Sequence, residues 1–155
     1  MAKKLPFPKI DQIGIVVKDL DKAVKYYESL GFGSFLFHRT NYQSRELWGK
    51  PVPPDVVLAK RASSKVGPIQ IELTQPVAEG TPWMEFLKTK GEGIDHLGFF
   101  VDDFDMEEAK LLKKGLTIIY KSTSKYPDGS RGGAAYFDTG EVGGIAFELV
   151  RRAPI

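Results

Sequence analysis

Four polar residues fall at equivalent places in two copies of one pattern. Asp11-Gln12-Ile13-Gly14-Ile15-Val16-Val17-Lys18-Asp19-Leu20-Asp21 runs in step with Asp95-His96-Leu97-Gly98-Phe99-Phe100-Val101-Asp102-Asp103-Phe104-Asp105, and the offset of 84 still holds at Gly31 and Gly115. Ile69-Gln70-Ile71-Glu72-Leu73 matches Ile145-Ala146-Phe147-Glu148-Leu149 at an offset of 76, so the second copy is eight residues shorter between these anchors. The copies therefore pair Gln12 with His96 and Glu72 with Glu148. Imidazole and carboxylate are ordinary metal ligands, and an amide oxygen is a plausible fourth donor. A duplicated fold that focuses these four side chains is a candidate metal site. The chain has only two histidines, His38 and His96, and no cysteine. Any metal site must therefore lean on carboxylates or amides.

The elements that must position them follow from local pattern. The β-branched run Gln12 to Lys18 reads as a strand. Asp19 or Asp21 caps the helix that follows, in which Ala23, Val24, Tyr27 and Leu30 recur at helical spacing before Gly31. Phe35 to Arg39, Asp55 to Lys60 and Ile69 to Thr74 read as strands, with a turn expected around Ser63-Ser64. Thr40 to Pro54 has no period, and its Lys50-Pro51-Val52-Pro53-Pro54 opposes regular structure. Thr81 to Lys90 reads as a short helix with Pro82 in its first turn. Gly91-Glu92-Gly93 then links the copies. The second copy repeats the order: strand Ile94 to Val101, helix Phe104 to Lys114 begun by Asp102-Asp103, and strands Leu116 to Tyr120, Ala134 to Asp138 and Gly144 to Val150. Ser122 to Gly133 reads as a polar, glycine-rich loop. The expected fold is α+β: two tandem βαβββ modules, 11–79 and 94–152 of a single domain, forming a curved mixed sheet around a metal-centred cleft.

Strand alternation sorts the faces. Ile13, Ile15 and Val17 oppose Gln12, Gly14 and Val16; Leu97, Phe99 and Val101 oppose His96, Gly98 and Phe100. Glu72 and Glu148 likewise lie opposite the bulky apolar residues of their strands. The apolar faces should take the helices. The other faces should line a cavity, with Gly14 and Gly98 keeping room beside Gln12 and His96.

Composition bounds the function. At 155 residues, with 42% hydrophobic and 27% charged residues, the chain suits one domain with a real core. A net charge of +2 without a basic, aromatic-laced stripe argues against nucleic acid. No apolar run is long enough to span a bilayer, and Met1-Ala2-Lys3-Lys4-Leu5-Pro6 lacks the apolar stretch of a signal peptide. The expectation is a cytoplasmic protein without nucleic-acid or membrane partners.

With these motifs the chain resembles the vicinal oxygen chelate superfamily, which includes glyoxalase I, methylmalonyl-CoA epimerase, extradiol dioxygenases and bleomycin- or fosfomycin-resistance proteins. The resemblance runs from about Ile10 to Arg151. It rests on Gln12 to Leu20, Ile71 to Pro76, Gly91 to Asp103 and Gly144 to Val150, and the third of these is most similar to the epimerase branch. It implies metal ligands at Gln12, Glu72, His96 and Glu148 for one divalent ion (zinc, cobalt, nickel or manganese). Epimerases usually carry histidine where this chain has Gln12. The order Gln, Glu, His, Glu resembles the zinc set of eukaryotic glyoxalase I. The implied chemistry is proton transfer alpha to a carbonyl or thioester through a metal-stabilised enolate. Glu148 and Glu72 are the first candidates for the base, and Glu46, in the irregular segment, is a candidate second acid on the opposite face of the carbon. A small-molecule substrate, such as a 2-methyl-branched acyl-CoA thioester, and a homodimer follow from the same resemblance.

Rival readings stand beside this one. A glyoxalase I-like lyase would act on a glutathione hemithioacetal. A dioxygenase fits less well, because Gln12 fills a place those sites give to histidine. A non-catalytic small-molecule or drug-binding resistance protein would keep the cleft without the chemistry. His38 reads as a structural or rim residue, and Trp48 and Trp83 read as packing rather than substrate-facing aromatics. Lys121, Lys125 and Arg131 would suit a phosphate, but a solvated hairpin connection explains them more simply.

Overall fold

The computed structural model describes residues 9–39 and 42–151. The first module contains β1 (Gln12–Val16), α1 (Leu20–Ser29), β2 (Leu36–Phe37), β3 (Tyr42–Leu47), β4 (Lys50–Pro51), β5 (Ala59–Val66) and β6 (Ile69–Pro76). α2 (Pro82–Lys90) leads to the second module, which contains β7 (Gly93–Val101), α3 (Phe104–Lys113), β8 (Ile118–Lys125), β9 (Arg131–Phe137) and β10 (Ala146–Arg151). Each helix starts where a side chain takes up an unpaired backbone N–H. Asp19 accepts from Lys22 N at 3.0 Å, Thr81 from Met84 N at 3.2 Å and Asp103 from Met106 N at 3.0 Å. The first cap is thus Asp19 rather than Asp21.

All described strands form one mixed sheet in the order β2-β5-β6-β1-β7-β10-β9-β8-β3-β4. The copies meet at the antiparallel pair β1–β7, the first strand of each. β6 runs parallel to β1 and β10 parallel to β7, so each copy presents the same neighbourhood to the junction. Both modules of the cleft come from one chain. α1 packs Leu20 and Val24 onto the outer face with Val17, Phe35, Ala62 and Leu73. α3 packs Phe104 and Leu111 onto it with Phe99, Ala135, Phe137 and Leu149. Each such aliphatic or aromatic side chain contributes roughly 1.5–3 kcal/mol on burial, which fixes which face of each strand points out. A third cluster lies at one end of the inner face, where the fully buried Trp83 of α2 packs with Val16, Leu58, Ile119, Tyr120 and Tyr136. Trp83 is therefore a packing residue, but one placed beneath the cleft.

Four segments differ from their sequence reading. Asp55 to Lys60, expected as a strand, is a turn followed by irregular chain, and β5 begins only at Ala59. The stretch expected to be irregular contains β3, which crosses to the far edge and pairs with β8. Tyr-Gln-Ser-Arg-Glu-Leu carries no apolar alternation because this near-edge strand is held chiefly through its backbone. Ser63-Ser64 is not a turn: both serines are buried inside β5, Ser64 Oγ donating to Gly33 O at 2.8 Å, and the chain reverses at Gly67, where φ is +59°. The expected loop from Ser122 to Gly133 is mostly hairpin, with β8 and β9 extending to Lys125 and Arg131. Gly129 makes the turn at φ +84°, whereas Gly132 and Gly133 lie inside β9, where neighbours crowd them. A Cβ on Gly133 would lie 3.0 Å from Ser122 O, and one on Gly132 would lie 2.9 Å from the Tyr126 hydroxyl. No helix among the described residues is long and apolar enough to cross a membrane.

Candidate metal centre

Register places the polar candidates on one face. Glu72 pairs with Gly14 and with Ser63, Gln12 with Gln70 and Gly98, and His96 with Gly14 and Ala146. Glu148 pairs with Gly98 and Tyr136. Residues paired across a ladder point the same way, so all four stand on the inner face around the β1–β7 junction. Each copy supplies a ligand type from its first strand and a glycine that accommodates the other copy's. A Cβ on Gly14 would lie 1.8 Å from His96 Cε1, and one on Gly98 would lie 2.7 Å from Gln12 Cβ. Only glycine fits at either position.

The donor atoms converge. His96 Nε2 lies 2.9 Å from Gln12 Oε1, 3.0 Å from Glu148 Oε2 and 3.8 Å from Glu72 Oε1. Ligand atoms of Glu72, His96 and Glu148 all lie within 4.8 Å of one another, and all three residues are buried. The Gln12 amide nitrogen donates to Gln70 Oε1 at 2.6 Å and to Glu72 Oε2 at 3.4 Å, which turns its oxygen toward the cluster. Among the described residues Glu72 Oε1 is buried without a hydrogen-bond partner, and Glu148 Oε2 has only the His96 ring nitrogen beside it. Two buried carboxylate oxygens aimed at one imidazole nitrogen are costly unless a cation joins them. The donor set is therefore of the kind a divalent metal takes.

A bulge sets the histidine. Gly14 pairs with His96 but Ile15 pairs with Ile94, so Asp95 has no partner on β1. The break in alternation brings the buried Asp95 carboxylate onto the same imidazole as the inner face, where Oδ1 accepts from His96 Nδ1 at 3.1 Å. With its Nδ1 proton held there, the neutral ring would offer its Nε2 lone pair to a metal. The Tyr136 hydroxyl also lies 3.1 Å from Nδ1.

Electrostatics reflect this crowding. Burial pushes the Glu72 carboxyl up, and Glu148 pushes it the same way. For His96 burial opposes the charged form, yet Glu148 and Asp95 outweigh it and push the ring up to about 10. The surrounding carboxylates thus favour a protonated His96 ring.

The cleft above these residues is a cavity of about 410 Å³ whose walls include His38, Tyr42, Arg61, Tyr120, Tyr126 and Tyr136. Arg61 and Tyr120 share it although five strands lie between theirs, so the sheet curls around it. His38, read from sequence as a rim or structural residue, lies on the wall. Its Nδ1 is 3.7 Å from Glu72 Oε2 and its Nε2 is 2.9 Å from Ser63 Oγ; burial lowers its pKa. Arg61, Gln70 and Tyr136 gave no signal in the sequence beyond ordinary strand residues. Glu46 is not brought to the cleft. It pairs with Lys121 on the outer face and is exposed, whereas Tyr42, Arg45 and Leu47 pair with the inner-face residues Ser124, Ser122 and Tyr120.

Residues 11–137 match the family model of the Glyoxalase/Bleomycin resistance protein/Dioxygenase superfamily. The chain belongs to that superfamily. Among solved structures it is similar to methylmalonyl-CoA epimerase from Mycobacterium tuberculosis, with 27% identity, TM-score 0.67 and coverage of 99% of this chain and 94% of that one. It is also similar to a variant of Streptomyces coelicolor methylmalonyl-CoA epimerase in complex with 2-nitronate-propionyl-CoA, with 26% identity, TM-score 0.67 and coverage of 96% and 99%. A curated relative, the uncharacterized protein YqjC of Bacillus subtilis (strain 168), is 22% identical over 141 residues, covering 91% of this chain and 90% of its own.

Proposed function

We propose that this superfamily member is a metal-dependent isomerase of the methylmalonyl-CoA epimerase type, moving a proton alpha to a carbonyl or thioester of an acyl-CoA. The observation that carries the reading is the convergence of Gln12, Glu72, His96 and Glu148 at the floor of the cleft, where two buried carboxylate oxygens face one imidazole nitrogen. Those four residues would hold one divalent ion. When bound, the ion supplies Lewis-acid stabilisation of negative charge developing on the substrate's carbonyl oxygen.

The chain's own residues do the rest. Glu148 and Glu72 are the carboxylates beside the reacting carbon, and either serves as base once its charge is established. Epimerisation needs a second proton carrier on the carbon's other face. The exposed, outward-facing Glu46 does not supply it; His38, held neutral by burial on the cleft wall, is the better placed group. Tyr136, Tyr120 and Trp83 close the end of the cavity and exclude water from the carbanionic centre. Solvent deuterium exchange into methylmalonyl-CoA and other acyl-CoA esters tests the reading. Exchange that requires Glu148 supports it, and no exchange by metal-loaded protein contradicts it.

The orientation of Gln12 supports one alternative, a glyoxalase I-like lyase. Its amide oxygen faces the cluster, as an oxygen ligand should, in the order Gln, Glu, His, Glu. Turnover of the methylglyoxal–glutathione hemithioacetal distinguishes it.

A further inference from the structure

Arg61 is the cleft residue least explained by proton transfer. It lies on the inner face of β5 opposite Thr74, two residues from Ser63, the partner of Glu72. Its side chain is 11% exposed. The guanidinium carbon sits 4.3 Å from the Trp83 ring centroid, and Nε is 3.7 Å from Glu72 Oε1, beyond hydrogen-bond length. Nη2 is buried and has no hydrogen-bond partner among the described residues. A guanidinium stays charged even when buried.

A guanidinium presents its donors as a planar fork that matches the two oxygens of a carboxylate. A charged donor buried beside a cavity and left unpaired is destabilising, so its retention points to a ligand that pairs it.

We propose that Arg61 is the specificity-determining residue of the cleft and binds a free carboxylate of the substrate. The carboxylate is additional to the carbonyl at the reacting carbon. Its position over Trp83 fixes the fork between the indole below and the cavity above. A neutral acyl group would leave the Arg61 Nη2 donor without a charged acceptor and is disfavoured. Which molecule reacts rests on the proton-transfer reading; the anion site rests on Arg61 alone.

The test is binding of malonate against its neutral isostere malonamide, by calorimetry and by Trp83 emission in a Trp48→Phe background, on zinc-loaded and on metal-free protein. The expected result is a preference for malonate of about tenfold or more, a change in Trp83 emission, partial retention in Arg61→Lys and loss of the preference in Arg61→Met, with zinc content unchanged. Equal binding of the two probes by wild type, or unchanged malonate binding by Arg61→Met, would overturn the proposal. So would malonate binding that falls only in proportion to bound zinc, since Arg61 would then merely support Glu72. Should Arg61→Met fail to fold, the neutral Arg61→Gln decides by the same ratio. Arg61-dependent malonate binding without deuterium exchange into any acyl-CoA would sink the proton-transfer reading and leave this one standing.

Discussion

Gly14 of the first copy stands directly opposite His96 of the second, and the imidazole occupies the space where a Gly14 side chain would be. The first prediction follows from that approach. Gly14→Ala puts a methyl 1.8 Å from His96 Cε1, so the ring or the β1–β7 junction must move. Overpacking of this kind costs about 1–3 kcal/mol. Thermal unfolding should show that loss, together with weakened metal binding. A variant with wild-type stability and metal content would mean the centre does not depend on this junction.

Glu148→Gln removes the charge of one proposed base while keeping its shape. Deuterium exchange should fall by at least about a hundredfold, the usual scale of general base catalysis. Ligand binding to the cleft should persist. A binder without catalysis would show no exchange in wild type and unchanged ligand affinity in the variant.

Glu46→Gln serves as a contrast. Because Glu46 is exposed on the outer face against Lys121, exchange should change less than about twofold and stability by no more than about 0.5 kcal/mol. A large loss of exchange would return Glu46 to the mechanism and show that the β3 segment turns over the cleft.

What the sequence disclosed and what it did not has a physical basis. The two copies made Gln12, Glu72, His96 and Glu148 legible, since duplication repeats both the ligand position and the glycine that gives it room. The helices were legible through Asp19, Thr81 and Asp103, whose capping is local. Arg61 was not, because Lys60-Arg61 reads as an ordinary charged pair on a strand and its partners, Trp83 and the cavity, come from other elements. Glu46 was misplaced because facing depends on register. The β3–β8 ladder shifts between Tyr42 and Ser44, and an irregular reading of that segment assigns no face at all. The role of Asp95 was hidden for the same reason: only the bulge brings it to His96.

Stability of the metal-free protein should fall as pH rises. His96 has its pKa raised from 6.5 to about 10, against burial, by Glu148 and Asp95, so the folded chain holds a proton there that the unfolded chain releases. That contribution is fully present below pH 6.5 and is lost toward pH 10. Glu72, raised by burial and Glu148, acts in the same direction above its unfolded pKa of about 4.5. Each such proton gives a limiting slope of about 1.4 kcal/mol per pH unit. A metal that displaces these protons should remove the decline and stabilise more as pH rises. Chemical denaturation with chelator and with zinc, from pH 6 to 9, measures both. A flat or rising curve in chelator would contradict the protonated cluster.

The central claim is that two copies of one motif build a single metal centre. Elemental analysis of wild type and His96→Ala, after incubation with zinc, cobalt, nickel or manganese and removal of excess, tests it most directly. The account predicts close to one ion per chain in wild type and its loss in the variant. Wild type that takes up none of these metals, or a variant that retains them, would contradict it.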